Sequence, residues 1–184
     1  TARRNGLPVG ADVAAHQLFL TAQDVENFNA QCHVLPPLRS AEDRDALRAG
    51  VARGAVQAIC SDHQPHEADA KINPFPLTEP GISGLETLLP LGLQLVQDGL
   101  LTPLQLAERL SLGPARILGV EAGALRVAAA ANLVLLDPSA PWRVDRHQLR
   151  SAGHNTPFHG RTLPGRVLAT LHAGSLVYRQ PPPV

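Results

Sequence analysis

The sequence predicts an α/β unit followed by a β unit. Two short apolar runs, residues 7–14 and 56–61, bracket an amphipathic helical pattern, which is the order of a parallel β–α–β unit. Further helical patterns follow between Gly84 and Leu118. From about Glu121 onward the helical period gives way to strand-like runs around a glycine-centred turn.

Each element has a local reason. Residues 1–6 read as the last turn of a helix and its glycine stop, and the chain contains no methionine, so a piece of a longer protein is expected. In residues 7–14, Val9, Ala11 and Val13 alternate onto one face. Residues 21–39 read as mostly irregular and end in the stiff Pro36-Pro37 pair. Ser40 is a natural N-cap, with Asp43 three residues on, Leu47 and Val51 on one helical face, and Gly54 as the stop. Residues 56–61 form the second strand.

Residues 67–80 carry Pro74, Pro76 and Pro80 and are too long for a plain connector, so a functional flap is expected. A helix over residues 84–98 should be distorted at Pro90. Thr102 and Pro103 open a third helix to about Leu110, and residues 114–118 form a short fourth. Residues 132–137 read as a strand, residues 166–172 and 176–179 as a hairpin about Ala173-Gly174-Ser175, and residues 180–183 as a loose tail.

Composition narrows the function. A chain of 184 residues holds one medium domain or two small ones, and 44% hydrophobic content supports a packed core. Sixteen basic residues balance 16 acidic ones, which argues against a nucleic-acid binder. No apolar stretch is long enough for a membrane span, since residues 88–96 are broken by Pro90 and Gly92. Cys32 and Cys60 do not make a disulfide scaffold; two reduced structural thiols in a cytoplasmic protein are expected.

The chemistry concentrates in Ser61-Asp62-His63-Gln64-Pro65-His66, directly after the second strand. A carboxylate there can bind a cation or move a proton, and imidazoles can ligate a metal or hold an anion. This is what a hydrolytic metal site needs.

These residues resemble a known family. Leu35-Pro36-Pro37-Leu38-Arg39, Asp62-His63-Gln64-Pro65-His66, Lys71, Glu79-Pro80-Gly81-Ile82-Ser83-Gly84, Asn132 to Pro138, Asn155-Thr156-Pro157-Phe158 and Gly165-Arg166-Val167 are similar to class I dihydroorotases of the amidohydrolase superfamily. The resemblance implies the C-terminal part of a (β/α)8 barrel, with strands seven and eight at residues 7–14 and 56–61. The C-terminal part of a small β-sandwich would follow, dividing the chain at 1–120 and 121–184. It implies that Asp62 touches zinc and acts as general base and then acid, that His66 helps hold the substrate carboxylate, and that the Gly81 backbone lies against the substrate ring. His63 is expected to be structural, Lys71 and Glu79 solvated loop charges, and Arg39 an ion-pair partner near the strand ends. The remaining zinc ligands belong to a part of the family's length that this chain lacks, so the chain alone is expected to be inactive, to bind no metal tightly and to be poorly stable.

Several residues depart from the family pattern. Leu35 stands where active members carry an asparagine that hydrogen-bonds the substrate, a loss of about 1–3 kcal/mol, or roughly five- to 150-fold in affinity. Ala14-Ala15-His16-Gln17 replaces Thr-Pro-His-His, and His33 replaces a lysine. This pattern resembles the non-catalytic dihydroorotase-like branch, which implies a degenerate subunit supporting aspartate carbamoyltransferase in pyrimidine biosynthesis. The alternatives are an active zinc dihydroorotase interconverting N-carbamoyl-L-aspartate and L-dihydroorotate, or another cyclic amidase such as a hydantoinase or allantoinase.

Overall fold

A computed structural model describes residues 5–7 and 9–180. Strands β1 (Asp12–Ala14) and β2 (Ala58–Cys60) pair in parallel, with Val13 opposite Ile59, and α1 (Ala41–Ala52) crosses between them. The β–α–β unit is therefore present, with shorter strands than the apolar runs suggested. At the entry end, Gln57 takes over the ladder: its Oε1 accepts from Ala11 N at 2.8 Å, and its Nε2 donates to the Gly54 and Ala55 carbonyls. At the exit end, β1 passes directly into a 3-10 turn (Ala15–Leu18), and Asp62 bends the chain beyond β2 at φ +44°.

Helix α1 is capped as its sequence dictates. The Ser40 side chain accepts from Asp43 N while the Asp43 carboxylate accepts from Ser40 N. At its end Gly54 N donates to Val51 O and Ala55 N to Gly50 O, a Schellman stop that uses the left-handed freedom of Gly54. The buried Arg109 adds a cation there, its Nε donating to Val51 O at 3.2 Å. Residues 21–39 are irregular apart from 3-10 turns at Ala22–Phe28 and Ala30–Cys32, and Cys32, Val34 and Leu38 point inward.

Helix α2 (Leu85–Gln97) runs through Pro90 and buries Leu91, Leu93 and Leu95. The expected break between the next two helices is corrected. Helix α3 (Pro103–Ala107) continues through a π turn (Glu108–Leu112) into α4 (Gly113–Leu118). The wider turn accommodates the ring and missing N–H of Pro114 without ending the helix. Gly113 at this point lies against β2's approach, where a Cβ would overlap the Gln57 carbonyl oxygen.

The last third is an antiparallel sheet in the order β3 (Leu133–Arg143), β4 (Thr162–His172), β5 (Ser175–Arg179). Both β3 and β4 extend beyond the expected strands. β3 tolerates Pro138 and Pro141 because it is an edge strand with an irregularity between Asp137 and Pro141, where the Asp137 carboxylate accepts from Ser139 N and Ala140 N. The hairpin turns at Ala173 and Gly174 as expected. Strand β4 packs on α2 so closely at Gly165 that a Cβ would overlap Leu93. Val144, Phe158 and Leu163 accordingly share one buried cluster with Leu18, Ile59, Ile82 and Leu91.

Residues 1–4 and 181–184, on which the expected helix end and loose tail largely fall, lie outside the described residues. Among the described residues, no helix is long and apolar enough to cross a membrane.

Gly113→Ala is expected to destabilise the protein by about 1–3 kcal/mol, because backbone rather than a flexible side chain blocks the methyl group. Ser40→Ala should cost about 1 kcal/mol. Urea midpoints at unchanged m-values check both.

Candidate functional site

The site is assembled at the exit ends of β1 and β2, where the chain leaves the parallel pair in two turns that face each other. Asp62, half-buried, receives a hydrogen bond on Oδ1 from Gln64 Nε2 at 2.9 Å. His63 turns the other way. Its Nδ1 accepts from Gly84 N (3.1 Å) and Leu85 N (3.4 Å), supplying the cap that Gly84 cannot, while Nε2 lies 3.4 Å from Ser151 Oγ. With two N–H groups aimed at Nδ1, the ring proton is placed on Nε2. His63 is thus structural, as its sequence position suggested.

His66 is fixed from both sides. Its backbone N donates to Asn155 Oδ1 at 2.7 Å, and its Nε2 lies 3.1 Å from Pro80 O. A carbonyl oxygen only accepts, so Nε2 carries a proton and donates it to Pro80 O. Gly81, at φ +139°, gives its N–H to His33 O (2.8 Å), and its carbonyl accepts from Lys71 Nζ (3.0 Å) and Asn155 Nδ2 (2.9 Å). Both of its peptide groups are committed within the protein. The position admits only glycine, since a Cβ would lie 2.5 Å from Gln64 Cβ in a backbone conformation that side chains disfavour.

Lys71 overturns the expectation of a solvated charge. It is 7% exposed, and Nζ donates to Glu79 O at 2.6 Å as well as to Gly81 O, so it clamps the 67–81 loop from inside. Burial lowers its pKa, with Cys32 and Glu79 opposing the shift. Glu79 is exposed, as expected. Arg39 is exposed and pairs with Asp43 at 3.6 Å, at the start of α1.

Leu35 is 62% exposed on a loop that Gln17 fastens, its Nε2 donating to Pro36 O at 2.9 Å. The two departures from the family pattern, at Leu35 and at residues 14–17, therefore meet at the end of β1. His33 Nδ1 lies 2.7 Å from Thr78 Oγ1, whose own proton goes to Phe75 O, so the ring donates. Burial, helped by the Lys71 charge, lowers the His33 pKa.

Two residues were not singled out as functional from the sequence. Asn155 is buried and makes the hydrogen bonds that join the 64–66 turn to the 81–83 turn: Oδ1 to His66 N, Nδ2 to Gln64 O (3.0 Å) and Gly81 O, and its own carbonyl to Ser83 N (2.8 Å). Its signal was the Asn155-Thr156-Pro157-Phe158 run, which had been assigned no role. His16, two residues beyond β1, is 2% exposed with Nε2 unpartnered, and burial lowers its pKa more than the nearby Asp62 charge raises it.

Among the described residues, no three His, Cys, Asp or Glu side chains converge to hold a metal ion. Burial foremost pushes the Cys32 thiol up to about 11 and the Cys60 thiol up to about 12.

An acid at the exit of a parallel strand, backed by histidine-bearing turns, defines the class. Residues 9–177 match the amidohydrolase family model, and the chain belongs to that family. It is 55% identical over 96% of its length to a dihydroorotase-like protein of Pseudomonas putida, and 54% identical to one of Pseudomonas aeruginosa. It is 45% identical to a dihydroorotase of Syntrophus aciditrophicus over 97% of its length. The chain spans 42% of each of these relatives. The L-hydantoinase of Arthrobacter aurescens superposes with a TM-score of 0.91 at 30% identity, over 97% of this chain and 41% of that one. An inactive dihydroorotase-like domain of a Chaetomium thermophilum CAD-like multifunctional protein shares the fold, with a TM-score of 0.69 at 23% identity over 99% of this chain and 48% of that one.

Asn155→Ala would strand the Gln64 carbonyl and the His66 N–H and leave the Gly81 carbonyl with Lys71 alone. A loss of about 2–4 kcal/mol is expected from the unsatisfied buried groups, read as a lowered urea midpoint with faster amide exchange at His66. Stability should also fall on acidification. His16 and His33 have folded pKa values below the ordinary 6.5, so below that pH the unfolded state binds more protons. Melting temperatures at pH 7.5 and 5.5 should differ in that direction, and His16→Gln should reduce the difference.

Proposed function

We propose that this chain is the C-terminal part of a catalytically degenerate dihydroorotase-like protein of de novo pyrimidine biosynthesis, acting in the cytoplasm as a structural subunit that supports aspartate carbamoyltransferase. On this reading β1 and β2 are strands seven and eight of a (β/α)8 barrel. Residues 1–120 belong to that barrel, and β3–β5 within residues 121–184 to the C-terminal share of a small β-sandwich.

The observation that carries the reading is that the polar groups expected to meet substrate satisfy one another. Asp62 accepts from Gln64, His66 Nε2 bonds Pro80 O, and both peptide groups of Gly81 are engaged. The Nε2–H of His66 is already committed to Pro80 O, which makes it a poor donor to a substrate carboxylate. Leu35 offers no hydrogen bond at all where an active enzyme would use asparagine. The two Pseudomonas relatives, which carry the dihydroorotase-like name, are also more similar to the chain than the Syntrophus dihydroorotase is.

Zinc in active family members supplies an activated water and polarises the carbonyl. Among the described residues no three candidate ligands converge around Asp62, so the set they present does not fit a metal unaided. The second reading, an active zinc dihydroorotase acting on N-carbamoyl-L-aspartate and L-dihydroorotate, draws on the retained Asp62 and on the dihydroorotase relatives near 45% identity. A cyclic amidase of the hydantoinase kind draws on the L-hydantoinase superposition.

The test uses the full-length protein that carries this chain. The expected result is substoichiometric zinc, no dihydroorotate or hydantoin hydrolysis, and co-purification with aspartate carbamoyltransferase. Stoichiometric zinc with turnover would defeat the structural-subunit reading, and the substrate turned over would choose between the two catalytic ones.

A further inference from the structure

A protein that has given up hydrolysis has no chemical reason to keep the strand-end carboxylate, yet Asp62 is present. The geometry around it supplies a different reason. Gln64 is held by its backbone on both sides: its N donates to Ile82 O at 2.9 Å, and its carbonyl accepts from Asn155 Nδ2 at 3.0 Å. Its Cβ faces Gly81 so closely that no Cβ could stand opposite, which leaves the side chain little room on that side. The left-handed bend at Asp62 turns the carboxylate back toward it, and the amide closes on Oδ1 at 2.9 Å.

We propose that Asp62 and Gln64 form a side-chain lock, in which the Gln64 amide holds Oδ1 of the strand-end carboxylate directly, with no ion between them. Asp62 is kept as an acceptor that tolerates a left-handed backbone, and Gln64 is the positioning residue that fixes it. This deepens, and rests on, the degenerate reading of the site. A hydrogen bond to an ionised acceptor is among the stronger kinds, and Asp and Asn are the non-glycine residues that best tolerate the left-handed region. The lock therefore specifies what residue 62 must be: a short side chain with an oxygen, charged or not. It also ties the turn that carries His66 to the strand end without any ion.

The consequence is testable by exchanging donor and acceptor in the full-length protein. Thermal melting should place Asp62→Asn between wild type and Asp62→Ala, because it keeps an oxygen and the backbone preference but loses the charge. Asp62→Ala and Gln64→Ala should each melt several degrees lower. Gln64→Glu should melt lower than Gln64→Ala, since two carboxylates would face each other. The double variant Asp62→Asn/Gln64→Glu should recover most of that loss, the new amide donating to the new carboxylate. Excess EDTA should leave the wild-type melting temperature unchanged.

The lock is overturned if the double variant is no more stable than Gln64→Glu, if Asp62→Asn falls as far as Asp62→Ala, or if EDTA lowers the wild-type melting temperature. Zinc content and dihydroorotate turnover of the wild-type protein judge the degenerate reading separately. An active zinc enzyme would defeat that reading whatever the melting series gives, and an inactive protein without the rescue would defeat the lock alone.

Discussion

The arrangement of the strand-end site depends on one buried amide. Asn155 lies far along the chain from the turns it holds; it is the partner of the His66 N–H and the Gln64 carbonyl, and it shares the Gly81 carbonyl with Lys71. The amide suits the place because it is donor and acceptor at once. A carboxylate would repel the Gln64 and Gly81 carbonyls, and an aliphatic side chain would leave the Gln64 carbonyl and the His66 N–H unpaired. Through this residue the turn after β2, the 81–83 segment before α2 and the segment leading into β4 become one body. Gly153 tightens the same junction, since a Cβ there would overlap the backbone of Pro65 and His66.

Once that junction is made, the charge state of its surroundings follows. Imidazoles are placed among N–H donors and carbonyls that fix their tautomers: His63 accepts at Nδ1, while His66 donates at Nε2. His16 and His33 are biased toward the neutral form by burial. Lys71 alone retains a buried ammonium, and it does so by donating to carbonyls rather than by pairing with an acid. The result is a pair of turns held by their own hydrogen bonds, with Lys71 clamped beneath them and the Asp62 carboxylate beside Gln64.

Local signals in the sequence translated faithfully where the competing forces were local. Ser40 with Asp43, Thr102 with Pro103, Gly54 as a stop and Ala173-Gly174 as a turn each involve a side chain or backbone preference acting within a few residues. The alternating and helical apolar patterns placed both parallel strands, α1 and α2. Reading failed where a distant group intervened. Gln57 shortens the strand ladder with its own amide, the π turn before Pro114 merges two expected helices, and Asp137 lets an edge strand pass two prolines.

The sequence by itself determined the family, the β–α–β order, and the location of the carboxylate and histidines at a strand exit, because these reside in contiguous residues. Only the tertiary structure decided what those residues do. Lys71 became a buried clamp, His63 a helix cap, Gln64 the partner of Asp62 and Asn155 the junction, because each of these roles depends on a partner brought close by folding. Hydrogen-bond partners separated by tens of residues leave no periodicity and no local composition to read. Their pairing is fixed by the close packing of α2, β2 and the segment before β4, and by the cost of leaving any buried polar group without a partner.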